Sequence, residues 1–359
     1  MTIDTERNRA AYLQMTEVLR SGRALAFVGA GVTCPLGYPD WDALIQCLAS
    51  ELRLARGENI ESSGQTVTVE QVLREFKDKP LVQAQILKEN LEDRYFLIMA
   101  NLFGPKDRRI APIADLVSLP FKHLLTSNYD PGLEQHHSPP NEPVSICLHH
   151  ASAPQFIVGF SDDDYSRRIV HVHGRYDDAR HIILTEEDYG TYIRSAVLDD
   201  FWRVVPAAAR LIFFGFRFKD IDLLYSFRRR RMGLENNQGN ARHFAVMPLD
   251  DRGRDNAVTI RMRMEYGIEP VFFSHRPNGS FVEYDEFISN LKQDIVGRVS
   301  GPLAEEVSAR LVHAVAAPQP AEVIEQEQGA LAEDVREGLK HLQEMTSANI
   351  SRRRTGDLE

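Results

Sequence analysis

RALAFVGAGVTCPLGYPDW, Arg23–Trp41, is the stretch on which the reading of this chain turns. An apolar run, Ala24 to Val28, predicts a buried strand that ends in Gly29, Ala30 and Gly31 and breaks into a turn. Glycine at a strand end lets backbone N–H groups approach a phosphate closely, because no Cβ intervenes and left-handed backbone angles cost little. A Gly-Ala-Gly alone is equally an ordinary tight turn between a strand and a helix. Two later segments supply context: LLTSNYD, Leu124–Asp130, and IVHVHG, Ile169–Gly174, each read as a strand running directly into polar residues. In an open parallel sheet the ligand crevice lies at the carboxyl ends of the strands, so the polar clusters would converge there.

Outward from these anchors, strands and helices alternate, which predicts an α/β fold with a doubly wound, mainly parallel sheet. A helix over Glu6–Arg20 feeds the first strand, and Asp40 is the expected N-cap of a helix through Leu52. A polar loop is expected from Arg56 to Thr66. Helical patterns over Val69–Phe76, Val82–Leu102 and Pro112–Val117 then read as a helical insertion, about residues 68–118, that walls the cleft or simply packs on the sheet. Strand signals recur at Gln155–Gly159 and Ile169–Val172. IILTEEDY adds a short strand and a helix start, with Thr185 as N-cap and Asp188 three residues on, where a capping box prefers Glu or Gln. A buried strand at Leu211–Phe214 meets a turn at Gly215 and a helix from Asp220. Further strands are expected at His243–Met247 and Ile268–Phe273, with a helix between them and another over Glu283–Val296. The main domain thus covers residues 1–300. Residues 301–359, with a Pro-Gln-Pro break and a charged helix from Ala321 to Met345, read as a helical, partly disordered extension.

Composition narrows the function classes. Of 359 residues, 26% are charged and 43% hydrophobic, as in a soluble globular protein. The charged N-terminus lacks an apolar signal core and no run is long enough to cross a bilayer, so the expected location is the cytoplasm. A net charge of −10 argues against strong direct binding of nucleic acid by the surface as a whole. The arginines from Arg228 to Arg231 would point around most of a helix and read as a solvated or interfacial surface. The three cysteines, Cys34, Cys47 and Cys147, fit a reducing compartment. The loop from His136 to Pro143 and the nearby His149 and His150 invite a metal, yet no carboxylate or cysteine completes a recognisable ligand pattern, so no metal is expected.

In its order of motifs the chain resembles the sirtuin-like family of NAD-consuming proteins. That order is a Gly-Ala-Gly loop (Gly29, Ala30, Gly31), Asn-x-Asp after a strand (Asn128, Tyr129, Asp130) and His-Gly after another (His173, Gly174), with Gly37-Tyr38-Pro39 matching a Gly-Ile-Pro turn. The resemblance covers roughly residues 20 to 275 and implies a Rossmann-like sheet with NAD as substrate. Two departures are informative. The protein-deacylating members carry a zinc ribbon of two CxxC pairs, and no cysteines here are spaced to share a metal. Where those members place an aromatic followed by Arg, Trp41 is followed by Asp42. The sequence is therefore closer to the bacterial branch that destroys NAD in antiphage defence, by abortive infection.

The resemblance implies catalytic roles for three residues. Asn128 would orient the ribose and the attacking water, Asp130 would accept from the nicotinamide amide, and His173 would act on the ribose hydroxyls as general base. Gly29, Ala30, Gly31 and Thr33 would hold the diphosphate and adjoining ribose, with Trp41, Gly215, Phe216 and Asp220 as further cofactor contacts; Arg217 departs from the small polar residue of many relatives. Each also has a structural alternative: Asn128 as a turn former, Asp130 as an N-cap, His173 as a backbone-bonded strand-end histidine. His171 would share a face with His173 if the strand stays regular, but lies farther from its end. The expected product is nicotinamide plus ADP-ribose, from a homo-oligomer controlled by a separate partner such as a HerA-like hexameric ATPase and DNA translocase. The alternatives are a zinc-independent deacylase or ADP-ribosyltransferase, and a noncatalytic NAD or ADP-ribose sensor.

Overall fold

A computed structural model describes residues 5–62, 64–137, 144–149, 153–162, 166–216, 218, 243–249, 260–274 and 282–296. At the centre of its main sheet β1 (Leu25–Val28) lies between β4 (His123–Thr126) and β7 (Leu211–Phe214). Beyond β4 come β6 (Arg168–His171) and then β5 (Val144–Cys147). Beyond β7 come β8 (His243–Leu249) and β9 (Ile268–Ser274), which gives seven strands in the order β5-β6-β4-β1-β7-β8-β9. Every pairing in this sheet is parallel. The register brings the strand ends level: Val28 stands opposite both Thr126 and Phe214, and His171 opposite both Thr126 and Cys147. The segments that follow β1, β4, β6 and β7 therefore leave the sheet side by side.

Both faces of the sheet are buried, which is why its strands read as continuous apolar runs rather than alternating ones. Ala26, Val28, Leu124, Ile169, Ile212 and Phe214 enter one core, and Leu25, Phe27, Leu125, Val170, Leu211 and Phe213 enter the other. The first face is covered by α1 (Thr5–Arg20), α3 (Trp41–Arg56), the insertion and the last described helix (Val282–Val296), and the second by α9 (Ala153–Gly159) and α11 (Ala196–Ala208). This is a doubly wound, Rossmann-like sheet. The insertion comprises α4 (Val69–Glu75), α5 (Pro80–Leu91), α6 (Asp93–Leu102) and α7 (Ala111–Ser118). Its Val72, Leu87, Tyr95 and Leu116 are continuous with the first core, so it is fused to the sheet.

Local chemistry sets the helix starts. The Asp40 carboxylate accepts from the Ala43 amide at 3.0 Å, as expected of an N-cap. Thr185 and Asp188 close a reciprocal capping box at the start of α10 (Glu186–Tyr192), with Asp188 in the place that usually takes a longer side chain. Several expectations are corrected. The polar segment after α3 is a hairpin, β2 (Asn59–Ser62) against β3 (Gln65–Thr68), turning near Gly64. The apolar run from Gln155 to Gly159 is part of helix α9, which presents Phe156 and Ile157 to the second core. Ile182 to Leu184 is irregular backbone, and the edge strand β5 is an addition. The pattern from Val82 to Leu102 is two helices, broken at Glu92 with φ 51°. Arg217, the helix from Asp220, the run Arg228–Arg231, His150 and the 301–359 extension lie outside the described residues. Among the described residues no helix is long and apolar enough to cross a membrane.

Candidate functional site

Gly29, Gly31 and Gly215 are explained by one close approach. The Gly29 amide donates to the Phe214 carbonyl at 2.9 Å and the Gly31 amide to the Gly215 carbonyl at 3.1 Å. A Cβ on Gly29 or Gly31 would stand 2.8 or 2.9 Å from that Gly215 oxygen, and Gly215 itself has φ +68°. Only bare backbone on both sides lets the loop after β1 lie against the loop after β7. Ala30, by contrast, is exposed and begins the short α2 (Ala30–Thr33).

At the end of that turn Thr33 is buried, and its hydroxyl joins the loop after β4. It donates to Asp130 Oδ2 at 2.9 Å and accepts from Asn128 Nδ2 at 3.0 Å. The Asn128 backbone amide donates to Thr126 Oγ1 at 3.0 Å, and that hydroxyl donates to the Val28 carbonyl at 2.8 Å. Asp130 Oδ1 accepts from the Gly132 amide at 2.9 Å, an approach that a Cβ on Gly132 would close off at 2.6 Å. The Asn128 and Asp130 side chains are thus tied to the end of α2, just after β1, through the one buried hydroxyl of Thr33. Burial raises the Asp130 carboxyl to about 6, against the pull of the Gly132 and Thr33 hydrogen bonds.

An aromatic wall stands beside this chain. Tyr38, from the Gly37-Tyr38-Pro39 turn, stacks on Phe103 at 6.4 Å, and Phe103 meets Tyr129 edge-on at 5.1 Å. Phe103 follows α6, so the insertion reaches the loop after β4. Tyr38 Oη donates to the Gly104 carbonyl at 3.1 Å. Trp41 is half-buried at the start of α3 with its indole Nε1 buried and without a hydrogen-bond partner. Phe216 packs into the second core, edge-on to Phe27 at 4.9 Å. Asp220 lies outside the described residues.

His171 ends β6, and His173 lies beyond it in a different environment. The strand stops at His171, and Gly174 turns the chain at φ +85°, where a Cβ would stand 2.5 Å from the His181 carbonyl. His171 is fully buried, with Nδ1 at 2.8 Å from the Asn128 carbonyl and Nε2 at 2.8 Å from Glu134 Oε1. The same Glu134 oxygen accepts from Ser145 Oγ at 2.6 Å and lies 3.4 Å from Arg175 Nη1. Burial alone would raise the Glu134 carboxyl, but the His171 charge and hydrogen bond outweigh it and bring it down to about 2. Burial likewise opposes the His171 cation, yet Glu134 holds its pKa above the usual value. His173 instead sits edge-on between Tyr189 at 5.5 Å and Tyr192 at 5.7 Å, and its carbonyl accepts from the Ile183 amide at 2.9 Å. Glu134 is the residue that sequence reasoning missed. Its hint is a carboxylate four positions after Asp130, on α8 (Gly132–Gln135).

His136 is a structural histidine. Its Nε2 accepts from the Ile110 amide at 2.8 Å, so Nδ1 donates to the Gly132 carbonyl at 2.6 Å. It offers nothing to a metal.

Residues 122–271 match the family described as SIR2-like domain. The chain is also similar to Defense-associated sirtuin 2 of Bacillus subtilis, 24% identical over 215 residues, which are 58% of this chain and 19% of that protein. It thus spans about a fifth of the length of that relative.

Proposed function

We propose that this chain, residues 122–271 of which match the SIR2-like domain family, hydrolyses NAD to nicotinamide and ADP-ribose, using Asn128, Asp130 and His173. The observation that carries the reading is the buried chain Asn128–Thr33–Asp130 at the level ends of β1 and β4. In the reaction the bond between the ribose C1′ and the nicotinamide nitrogen breaks, and its electron pair leaves with nicotinamide. Positive charge develops on the ribose, as in glycoside hydrolysis. Water oxygen then bonds to C1′, and its proton is lost to solvent or base. Thr33 takes up the Asn128 amide nitrogen, which leaves the side-chain oxygen to orient the ribose and the incoming water. Asp130, as a carboxylate, accepts from the nicotinamide amide; each of its oxygens has a lone pair beyond the bond from Thr33 or Gly132. His173 acts on the ribose hydroxyls as general base.

The turn Gly29–Thr33 borders the diphosphate and adjoining ribose. Since the Gly29 and Gly31 amides are engaged with the strand and loop of β7, the exposed Ala30 is the part of the turn that meets the diphosphate. Trp41, with its unpartnered indole N–H, and Gly215 complete the surroundings. The similarity to Defense-associated sirtuin 2 of Bacillus subtilis supports a role in antiphage defence, in which NAD is depleted on infection. An enzyme that empties the NAD pool must be silent until needed. We assign that control to homo-oligomer assembly in the cytoplasm and to a separately encoded partner, a HerA-like hexameric ATPase.

Mass spectrometry of NAD incubated with the full chain, with and without an acylated peptide, tests the reading. Nicotinamide and ADP-ribose without peptide are expected, from the chain alone or with the ATPase. NAD left intact in both settings would overturn it. Cleavage that requires the peptide would point to a deacylase or transferase.

A further inference from the structure

His149, Asp178 and His181 come together at the rim of the sheet, outside the site described above. His149 follows β5, whereas Asp178 and His181 lie in the 3-10 segment Tyr176–His181 after β6. His149 Nε2 is 2.9 Å from Asp178 Oδ2, and His181 Nδ1 is 2.8 Å from Asp178 Oδ1. The two imidazoles stack nearly parallel, with centroids 4.4 Å apart and planes 17° apart, and each points one nitrogen at the same carboxylate. All three donor atoms fall within 4.8 Å of one another. The pairing joins residues 29 positions apart, which is why the histidines found no carboxylate partner in the sequence.

We propose that these three residues bind one divalent transition metal, zinc by preference. Two imidazole nitrogens and a carboxylate oxygen are the donor set for such ions, and three protein ligands plus water complete a tetrahedron. Zinc bonds of about 2.0–2.2 Å set neighbouring donors roughly 3.4 Å apart. The side chains of His149, Asp178 and His181 are 21%, 33% and 57% exposed, so they can close that difference without disturbing the core. In the metal-free chain the imidazole N–H groups bond the carboxylate; the metal replaces those protons. The consequence is mechanical. The His181 carbonyl packs on Gly174, the residue after His173, so the ion ties the segment after β5 to the turn that carries His173.

The test is titration of the chelator-stripped full chain with zinc chloride against a chromophoric chelator, beside His149→Gln, Asp178→Asn and His181→Ala. Loss of supporting residues around a metal costs 10–100-fold in affinity, so loss of a direct ligand is expected to cost on the order of 100-fold or more. Zinc is expected to bind the parent chain one to one and to raise its Tm, and to leave the Tm of the variants unchanged. The visible spectrum of the cobalt-substituted chain is expected to lack thiolate charge transfer. Failure to bind zinc, or equal affinity in all three variants, would overturn the proposal. So would a thiolate spectrum, which would place the ion on Cys34, Cys47 or Cys147.

Discussion

His171 and His173 are two residues apart, and the sheet end puts them in opposite environments. His171 belongs to a charged network: it is buried between the Asn128 carbonyl and Glu134, with Arg175 behind. His173 belongs to an aromatic slot formed by Tyr189 and Tyr192. The Glu134 charge favours a protonated His171, and a base must be free of its proton to act. A cation fixed against a carboxylate is suited to holding a loop, whereas the His173 ring packs edge-on against two tyrosines, away from the Glu134 pair. The loop after β4 is therefore held from two sides, by Thr33 through side chains and by His171 through the backbone, while the proposed base stands apart.

The largest effect expected from this contrast is on catalysis. Losing a general base typically costs about 10²- to 10⁴-fold in rate, so His173→Ala is expected to cut nicotinamide release by that factor. Assayed by product formation at saturating NAD, Asn128→Ala belongs in the same range. A smaller loss in kcat, of roughly tenfold, is expected of Glu134→Gln, because it loosens the support of Asn128 without touching substrate. Combining it with His171→Ala should add little, since the two act as one unit.

Packing effects come next in size. Gly174→Ala places a side chain at φ +85° and 2.5 Å from the His181 carbonyl, and urea unfolding is expected to show a loss of at least about 2 kcal/mol. Gly31→Ala meets the Gly215 oxygen at 2.9 Å and is expected to cost about 1–3 kcal/mol.

The smallest effects are in pH dependence, and their signs differ between the two regions. Asp130 has a folded pKa of about 6, above its ordinary value of 3.8, so it binds its proton more tightly when folded, and its contribution to stability falls as pH rises from about 4 to 6. Glu134 has the opposite sign: held at about 2, it stabilises the fold above 4.5, and that contribution is lost as pH falls toward 2. His171, with a raised pKa, stabilises below 6.5 and loses that contribution as pH rises through its folded value. Urea midpoints between pH 3 and pH 8 should therefore show a steeper acid limb in the parent chain than in Glu134→Gln. Because Asp130 must be a carboxylate to receive the nicotinamide amide, kcat/KM is also expected to fall below about pH 6.

The strands that decide the fold were legible because they are buried on both faces and end in glycine or polar residues. Asp40 and Thr185 were legible because capping is local chemistry. QFIVG read as a strand, since a short apolar run does not tell a strand from a helix; Phe156 and, one residue past the helix, Phe160 both enter the second core four positions apart. The hairpin at Asn59–Thr68 was hidden by its polar composition. The Asn128–Asp130 segment was visible as a motif, but Thr33 as the hydroxyl joining its two side chains was not, because the residues lie 95 and 97 positions apart. The Glu134 contact joins residues 37 positions apart, and the divergence of the two histidines depends on where β6 stops.

The central claim is that the base is His173 and that His171 only supports the loop. Its most direct test is nicotinamide release from NAD by His173→Ala and His171→Ala, each compared with the parent chain under the conditions in which that chain is active. The account predicts a loss of about 10²-fold or more for His173→Ala and a much smaller one for His171→Ala. The reverse order would contradict it and move the catalytic role to the histidine paired with Glu134.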